Sequence, residues 1–225
     1  MYASIILSAG IGSRMGLGFN KMLYELAGVP IVILTLKKFL ADTKCEQVVL
    51  VVNERETQQM MNLLTEYGVV DNRIEITCGG SERQYSVYNG LLRVKSEIVL
   101  VHDGARPFVT QEMIDDCVQT CQAGDVAIVG VPLKDTVKRV INGVVIETPN
   151  RSELVAVQTP QAAPVKILRQ AHERAIVDNF LGTDEGSLIE KYEDITVRIV
   201  EGAYTNIKLT TKEDLILATE LLKTM

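Results

Sequence analysis

The sequence predicts an α/β fold, a parallel sheet covered by helices on both faces. Val- and Ile-rich runs alternate with helical patterns almost from end to end. The runs are near-continuously apolar, as in strands buried on both faces. A polar, often Gly-rich segment follows one run after another, as at the ligand edge of an open sheet. At 225 residues the chain suits one domain, 1–225, with an appendage, and a hydrophobic fraction of 47% is ample for its core.

Strands are expected at Ala3–Leu7, Gln47–Val52, Arg73–Cys78, Ile98–His102, Val126–Val131, Leu154–Gln158 and Thr196–Val200, each bounded by turn residues. Pro30 opens a helix running to Ala41, and Pro164 opens another. Ser81 with Gln84 reads as a capping box ahead of a helix to about Arg93. Thr211 with Asp214 reads as a second one, for the C-terminal helix. One segment breaks the rhythm. Residues 137–147 are two β-prone runs around Asn142-Gly143, a strong hairpin signal. A lone hairpin is barely stable in water, so this one either folds back on its own domain or packs as an arm on a second subunit.

The formal charge of −6 and pI near 5.1 argue against a nucleic-acid footprint. No apolar run approaches the roughly 20 residues of a membrane span. The N-terminus enters a strand with no charged leader or cleavage site, which points to a cytoplasmic protein. Cys45, Cys78, Cys117 and Cys121 make no metal-like or redox pair and read as reduced thiols. His102 and His172 are too scattered to suggest a metal site.

The segment Leu7-Ser8-Ala9-Gly10-Ile11-Gly12-Ser13-Arg14-Met15-Gly16, with Lys21 close behind, is the polyphosphate candidate. Its glycines let backbone N–H groups approach oxygens, while Arg14 can fork onto phosphate and Lys21 can act as a point charge. Met15 stands where the dinucleotide fingerprint needs glycine, and Gly-Lys-Ser/Thr is absent, so neither common phosphate loop fits. Gly79-Gly80 leaves clearance for a flat base, with Ser86 able to hydrogen-bond inward. Asp103, just past a buried strand, can ligate Mg²⁺ or hold a ribose hydroxyl. Arg106, held extended before Pro107, is a plausible anion clamp. Leu133-Lys134-Asp135-Thr136 and Gln158-Thr159-Pro160-Gln161 close the set of strand-end loops. Arg151, Thr183 and Lys208 carry little by themselves and read as solvated surface by default.

Together these segments resemble the 2-C-methyl-D-erythritol 4-phosphate cytidylyltransferases. The resemblance rests on Ser8-Ala9-Gly10-x-Gly12-x-Arg14-Met15-Gly16 with Lys21, and on Val101-His102-Asp103-Gly104-Ala105-Arg106-Pro107-Phe108. Gln158-Thr159-Pro160-Gln161, Thr183-Asp184-Glu185 and Asn206-Ile207-Lys208-Leu209-Thr210 extend it to essentially the whole chain. It implies a Rossmann-like, mostly parallel mixed sheet with helices on both faces, and residues 134–155 as an inserted β-arm used for dimerisation. It implies that Arg14, Lys21 and Lys208 contact the CTP phosphates and stabilise charge at the α-phosphorus. Ser8, Ala9, Gly10, Gly12, Gly80, Arg83, Ser86, Asp103, Gly104 and Thr159 would surround the nucleotide, with Asp103 also serving Mg²⁺. Arg106, Thr136, Arg151 and Thr183, with Lys208, would bind the phosphorylated polyol. Thr136, Arg151 and the hairpin between them would reach a partner's site in a homodimer. One position departs from the family: Asn20 stands where proline commonly precedes the lysine, which removes a fixed φ and adds a donor.

The implied reaction is direct in-line transfer of the cytidylyl group from CTP to a phosphate monoester, which needs positioning and charge neutralisation more than a general base. Ribitol 5-phosphate is the alternative acceptor, although that branch carries a bulkier residue at Ala105 and Asp-Ala-Cys-Lys near Thr183. A sugar-1-phosphate nucleotidyltransferase and a non-catalytic nucleotide-binding module are the remaining rivals.

Overall fold

The computed structural model describes residues 1–10 and 20–223. In chain order the strands are β1 (Tyr2–Leu7), β2 (Glu25–Leu26), β3 (Val29–Pro30), β4 (Cys45–Val52), β5 (Ile74–Cys78) and β6 (Ile98–Asp103). They continue with β7 (Val126–Pro132), β8 (Arg139–Ile141), β9 (Val144–Glu147), β10 (Val155–Pro164) and β11 (Val197–Glu201). The helices are α1 (Ile31–Leu40), α2 (Thr57–Glu66), α3 (Arg83–Leu91), α4 (Gln111–Gln122), α5 (Val165–Val177), α6 (Glu185–Tyr192) and α7 (Lys212–Leu222). Seven strands form one sheet in the order β11-β7-β10-β6-β1-β4-β5. The neighbours β6, β1, β4 and β5 run parallel, as do β7 and β11, while β10 is antiparallel to β6 and β7. The sheet is therefore mixed, and mostly parallel.

Both faces are covered. In β1, Tyr2 and Ile6 join the core under α1, α2, α4 and α7, whereas Ala3, Ile5 and Leu7 join the core under α3, α5 and α6. β4 divides in the same way, with Val48, Leu50 and Val52 on one face and Val49 and Val51 on the other. Because successive side chains point to opposite faces, covering both favours apolar residues at consecutive positions, with Ser4 in β1 and Gln47 in β4 as buried polar exceptions. This is why the strands read as continuous runs rather than alternating ones.

Pro30 and Pro164 each cap the helix they were expected to open. Thr211 and Asp214 form the expected capping box, with both reciprocal hydrogen bonds present. The Ser81–Gln84 box does not form: Glu82 is the N-cap of α3 and makes no side-chain cap bond. Gln84 is drawn off by tertiary partners, its Nε2 donating to Phe180 O at 3.1 Å and its Oε1 accepting from Gly182 N at 2.8 Å. The strand expected at Leu154–Gln158 also runs further, to Pro164, and takes in the segment read as a loop. Its register with β7 shifts between Val157 and Gln161, and that break admits Pro160, which cannot donate to a ladder.

The hairpin stands as expected. β8 pairs with β9 around Asn142 (φ 49) and Gly143 (φ 79), two consecutive left-handed residues as a type I′ turn requires. Val140, Ile141, Val144, Val145 and Ile146 are all exposed on it. The four cysteines are free thiols; Cys45, Cys117 and Cys121 are buried, while Cys78 is exposed at the end of β5. Among the described residues no helix is long and apolar enough to cross a membrane.

Candidate active site

The carboxyl ends of the parallel strands lie at one edge and are tied together by backbone bonds. Gly104 N donates to Leu7 O at 3.0 Å, Ser8 N to Val51 O at 2.7 Å, and Gly79 N to Val52 O at 2.8 Å. The segments after β1, β5 and β6 are thereby gathered around a cleft of about 550 Å³, a volume suited to a nucleotide-sized ligand. Ala9, Gly10, Lys21, Gly80, Arg83, Ser86, Asp103 and Lys208 line it.

The glycine pair beside it, of which Gly80 lines the cleft, is there for close approach. A Cβ on Gly79 would sit 2.6 Å from Ala9 Cβ and 2.9 Å from Ser86 Oγ. Gly79→Ala is therefore expected to force the β1 and β5 loops apart, costing about 1–3 kcal/mol by overpacking and weakening nucleotide affinity, checked by thermal melting and CTP titration. The Ser86 hydroxyl is already engaged, accepting from Gly80 N at 3.0 Å and donating to Glu82 O at 3.1 Å, so it shapes this loop as well as facing the cleft.

Asp103 is the electrostatic centre. Its carboxylate lies 2.7 Å from Lys208 Nζ, 3.6 Å from Arg83 Nε and 3.8 Å from Arg106 Nε, and its side chain is only 10% exposed. Burial alone would push its pKa up. Arg83 first, then Lys208 and Arg106, outweigh that and hold it well below the usual carboxylate range. Arg83 is in turn gripped from behind by Glu185, a two-pronged pair at 2.8 and 3.0 Å.

A buried relay fixes the backbone that carries Asp103. Asp103 N donates to Thr159 Oγ1 at 3.0 Å, and that hydroxyl lies 3.1 Å from His102 Nδ1. His102 Nε2 lies 3.0 Å from Arg106 O. The carbonyl can only accept, so the proton is on Nε2 and Thr159 donates to Nδ1. Burial pushes the imidazole down to about 4, which keeps it neutral and this tautomer in place.

The lysines converge through one backbone residue. Leu209 N donates to Ala105 O at 2.9 Å, while Leu209 O accepts from Lys21 Nζ at 2.9 Å. The segment before it is held by Asn206, whose Nδ2 donates to Gln158 Oε1 and Thr159 O, and by Arg106 Nη1 donating to Asn206 O at 2.7 Å. Lys21 from the start of the chain and Lys208 from its end thus line the same cleft.

Of the expected site residues, Ser8, Gly104, Thr159 and Arg106 lie just behind the lining, as supports. Thr136, Arg151 and Thr183 are exposed outside it. Arg151 Nη1 donates to Lys134 O, which closes the base of the hairpin, and Thr183 precedes the Asp184 cap of α6. Gly12 and Arg14 lie outside the described residues. His102, Glu185, Gln158 and Asn206, which stand inside the quoted motifs without an assigned role, and Glu56, which stands outside them, are structural partners of the site. Each is a partner across many residues, and no local spacing signals such a contact.

Cations beside a glycine pair suit the transfer of a charged phosphoryl-type group. The one hydroxyl–imidazole contact described, Thr159 with His102, is buried behind the cleft, which leaves no exposed nucleophile–base pair among these residues. The fold and site are those of a nucleotidyltransferase. The family model for 2-C-methyl-D-erythritol 4-phosphate cytidylyltransferase matches residues 2–224, and the chain belongs to that family. A relative so named, from Bacillus velezensis, is 47% identical over 223 residues, covering 99% of this chain and 96% of its own. The crystal structure of 4-diphosphocytidyl-2C-methyl-D-erythritol synthase from Anaerococcus prevotii superposes with a TM-score of 0.88 at 30% identity, covering 99% of this chain and 98% of that one. The Francisella tularensis 2-C-methyl-D-erythritol 4-phosphate cytidylyltransferase gives 0.82, also at 30% identity, covering 97% and 98%.

Proposed function

We propose that this chain transfers the cytidylyl group of CTP to 2-C-methyl-D-erythritol 4-phosphate, forming 4-diphosphocytidyl-2-C-methyl-D-erythritol and pyrophosphate. The observation that carries the reading is the meeting of Lys21 and Lys208 beside Asp103 at the strand ends, in a chain of this family. A phosphate oxygen of the acceptor attacks the α-phosphorus in line. The new P–O bond forms as the bridge to the β-phosphorus breaks, and the electron pair leaves on pyrophosphate. A phosphate monoester is ionised enough at neutral pH to need no general base. The protein's work is to align the two anions and neutralise the charge that builds up. Lys21, Lys208 and Arg14 supply that neutralisation, and the Gly79-Gly80 loop holds the base. Arg106, Thr136, Arg151 and Thr183 serve the polyol phosphate.

Mg²⁺ fits this donor set. Asp103 Oδ1 lies 3.6 Å from Arg83 Nε, beyond hydrogen-bond distance, so it could offer a lone pair to the ion, with triphosphate oxygens completing the shell. Bound there, the ion would add positive charge on the phosphates. No cluster of three or more metal-ligating side chains occurs among the described residues.

The apolar hairpin residues Val140, Ile141, Val144, Val145 and Ile146 argue for a homodimer in which 134–155 is an arm on the partner, bringing Thr136 and Arg151 to the partner's site. Gel filtration at the mass of one chain would sink the shared-site reading.

The decisive assay follows pyrophosphate from CTP and Mg²⁺ with each candidate polyol phosphate, in a cytoplasm-like buffer. Release with 2-C-methyl-D-erythritol 4-phosphate is expected, and release with ribitol 5-phosphate alone would overturn the acceptor. Lys21→Ala is expected to lower kcat about 100- to 1000-fold, the usual cost of a lost electrostatic donor. Near wild-type turnover would remove Lys21 from the mechanism.

A further inference from the structure

Asn20 keeps the backbone angle a proline would impose, with φ at −63° and ψ at 120°. It does so without a ring, through three side-chain hydrogen bonds, and is only 3% exposed. Its Oδ1 accepts from Met22 N at 3.0 Å and caps the 3₁₀ turn Lys21–Leu23. Its Nδ2 donates to Ser8 O at 3.1 Å, just past the end of β1, and to Glu56 Oε2 at 2.6 Å. The amide orientation is fixed by its partners, since only the nitrogen can serve two acceptors.

Glu56 ends a 3₁₀ turn, Glu54–Glu56, that follows β4. It is half-buried and does not line the cleft, whereas Asn53, which caps the same turn, does. The short bond from its carboxylate is the charge-assisted member of the Asn20 set. The turn that carries Lys21 is thus clamped between β1 and the loop after β4, while the lysine's far end is held on Leu209 O. Freeing either end would let the ammonium wander relative to the phosphates, and misplacement on the ångström scale is expensive in such a reaction.

We propose that Asn20 and Glu56 are a positioning pair for Lys21, in which the Glu56 carboxylate holds the Asn20 amide and the amide holds the lysine turn. The proposal rests on the cytidylyltransferase reading for its kinetic test. In the pyrophosphate assay, Glu56→Ala is expected to lower kcat about tenfold, the worth of one charged hydrogen bond, with a smaller change in KM for CTP. Glu56→Gln keeps an acceptor oxygen without the charge and should restore most of that loss. In an Asn20→Pro background, where φ is set by the ring and no amide remains, Glu56→Ala should change nothing further. An equal fall in both backgrounds, or no fall in the parent, would overturn the pair. A direct readout does not depend on catalysis: amide hydrogen exchange at Met22 should quicken in Glu56→Ala and return to the parent rate in Glu56→Gln. Unchanged exchange at Met22 sinks the proposal, whereas absent pyrophosphate release by the parent protein sinks the functional reading instead.

Discussion

Asp103→Asn is expected to destabilise the fold by about 3–5 kcal/mol at neutral pH and to lower turnover by two orders of magnitude or more. The substitution keeps the shape and removes the one charge that lies between Arg83, Arg106 and Lys208. Arg106 is nearly as buried as Asp103, so water cannot replace the lost anion there. The pH dependence identifies the cause. A carboxyl whose folded pKa is depressed stabilises fully above its unfolded value of about 4, and that contribution fades as pH falls toward the lower folded value. The gap between parent and Asp103→Asn should therefore be flat from neutrality to about pH 4 and close below it. Chemical denaturation across that range measures it. A constant gap down to the acid limit would show that packing, not charge, makes the difference.

Arg83→Met is expected to cost about 3 kcal/mol or more, because Glu185, whose side chain is 3% exposed, then keeps a buried charge without a partner. Arg83→Met combined with Glu185→Leu should recover most of the loss, since an apolar pair of similar volume need not be desolvated. Denaturation midpoints of the single and double variants settle it: additive losses would mean the two side chains act independently. Turnover should not recover in the double variant, because Arg83 lines the cleft and lies against Asp103.

Much of the fold was legible because its signals are short-range. The continuous apolar runs of β1 and β4 report a sheet covered on both faces, and Asn142-Gly143 reports a left-handed turn. Thr211 with Asp214 reports a cap that no tertiary partner disturbs. Where such signals failed, a distant partner had intervened. Ser81 and Gln84 have the spacing of a capping box, but Gln84 is spent on Phe180 and Gly182. Pro160 reads as a strand breaker, yet the register shift of β10 makes room for it. Asn20 looked like a lost proline; its three hydrogen bonds hold the same φ.

The site divides along the same line. The sequence by itself pointed to the loops that the fold gathers at the cleft, because a glycine pair and an Asp after a buried strand are local motifs with local causes. It also determined the family, through motifs spread over nearly the whole chain. Only the tertiary structure decided who holds them. Lys21 meets Leu209 across 188 positions, Arg83 meets Glu185 across 102, and Thr159 meets His102 across 57. Those pairings exist only once the strand order is set, because it is the sheet that brings distant segments to one edge, and no spacing along the chain encodes it.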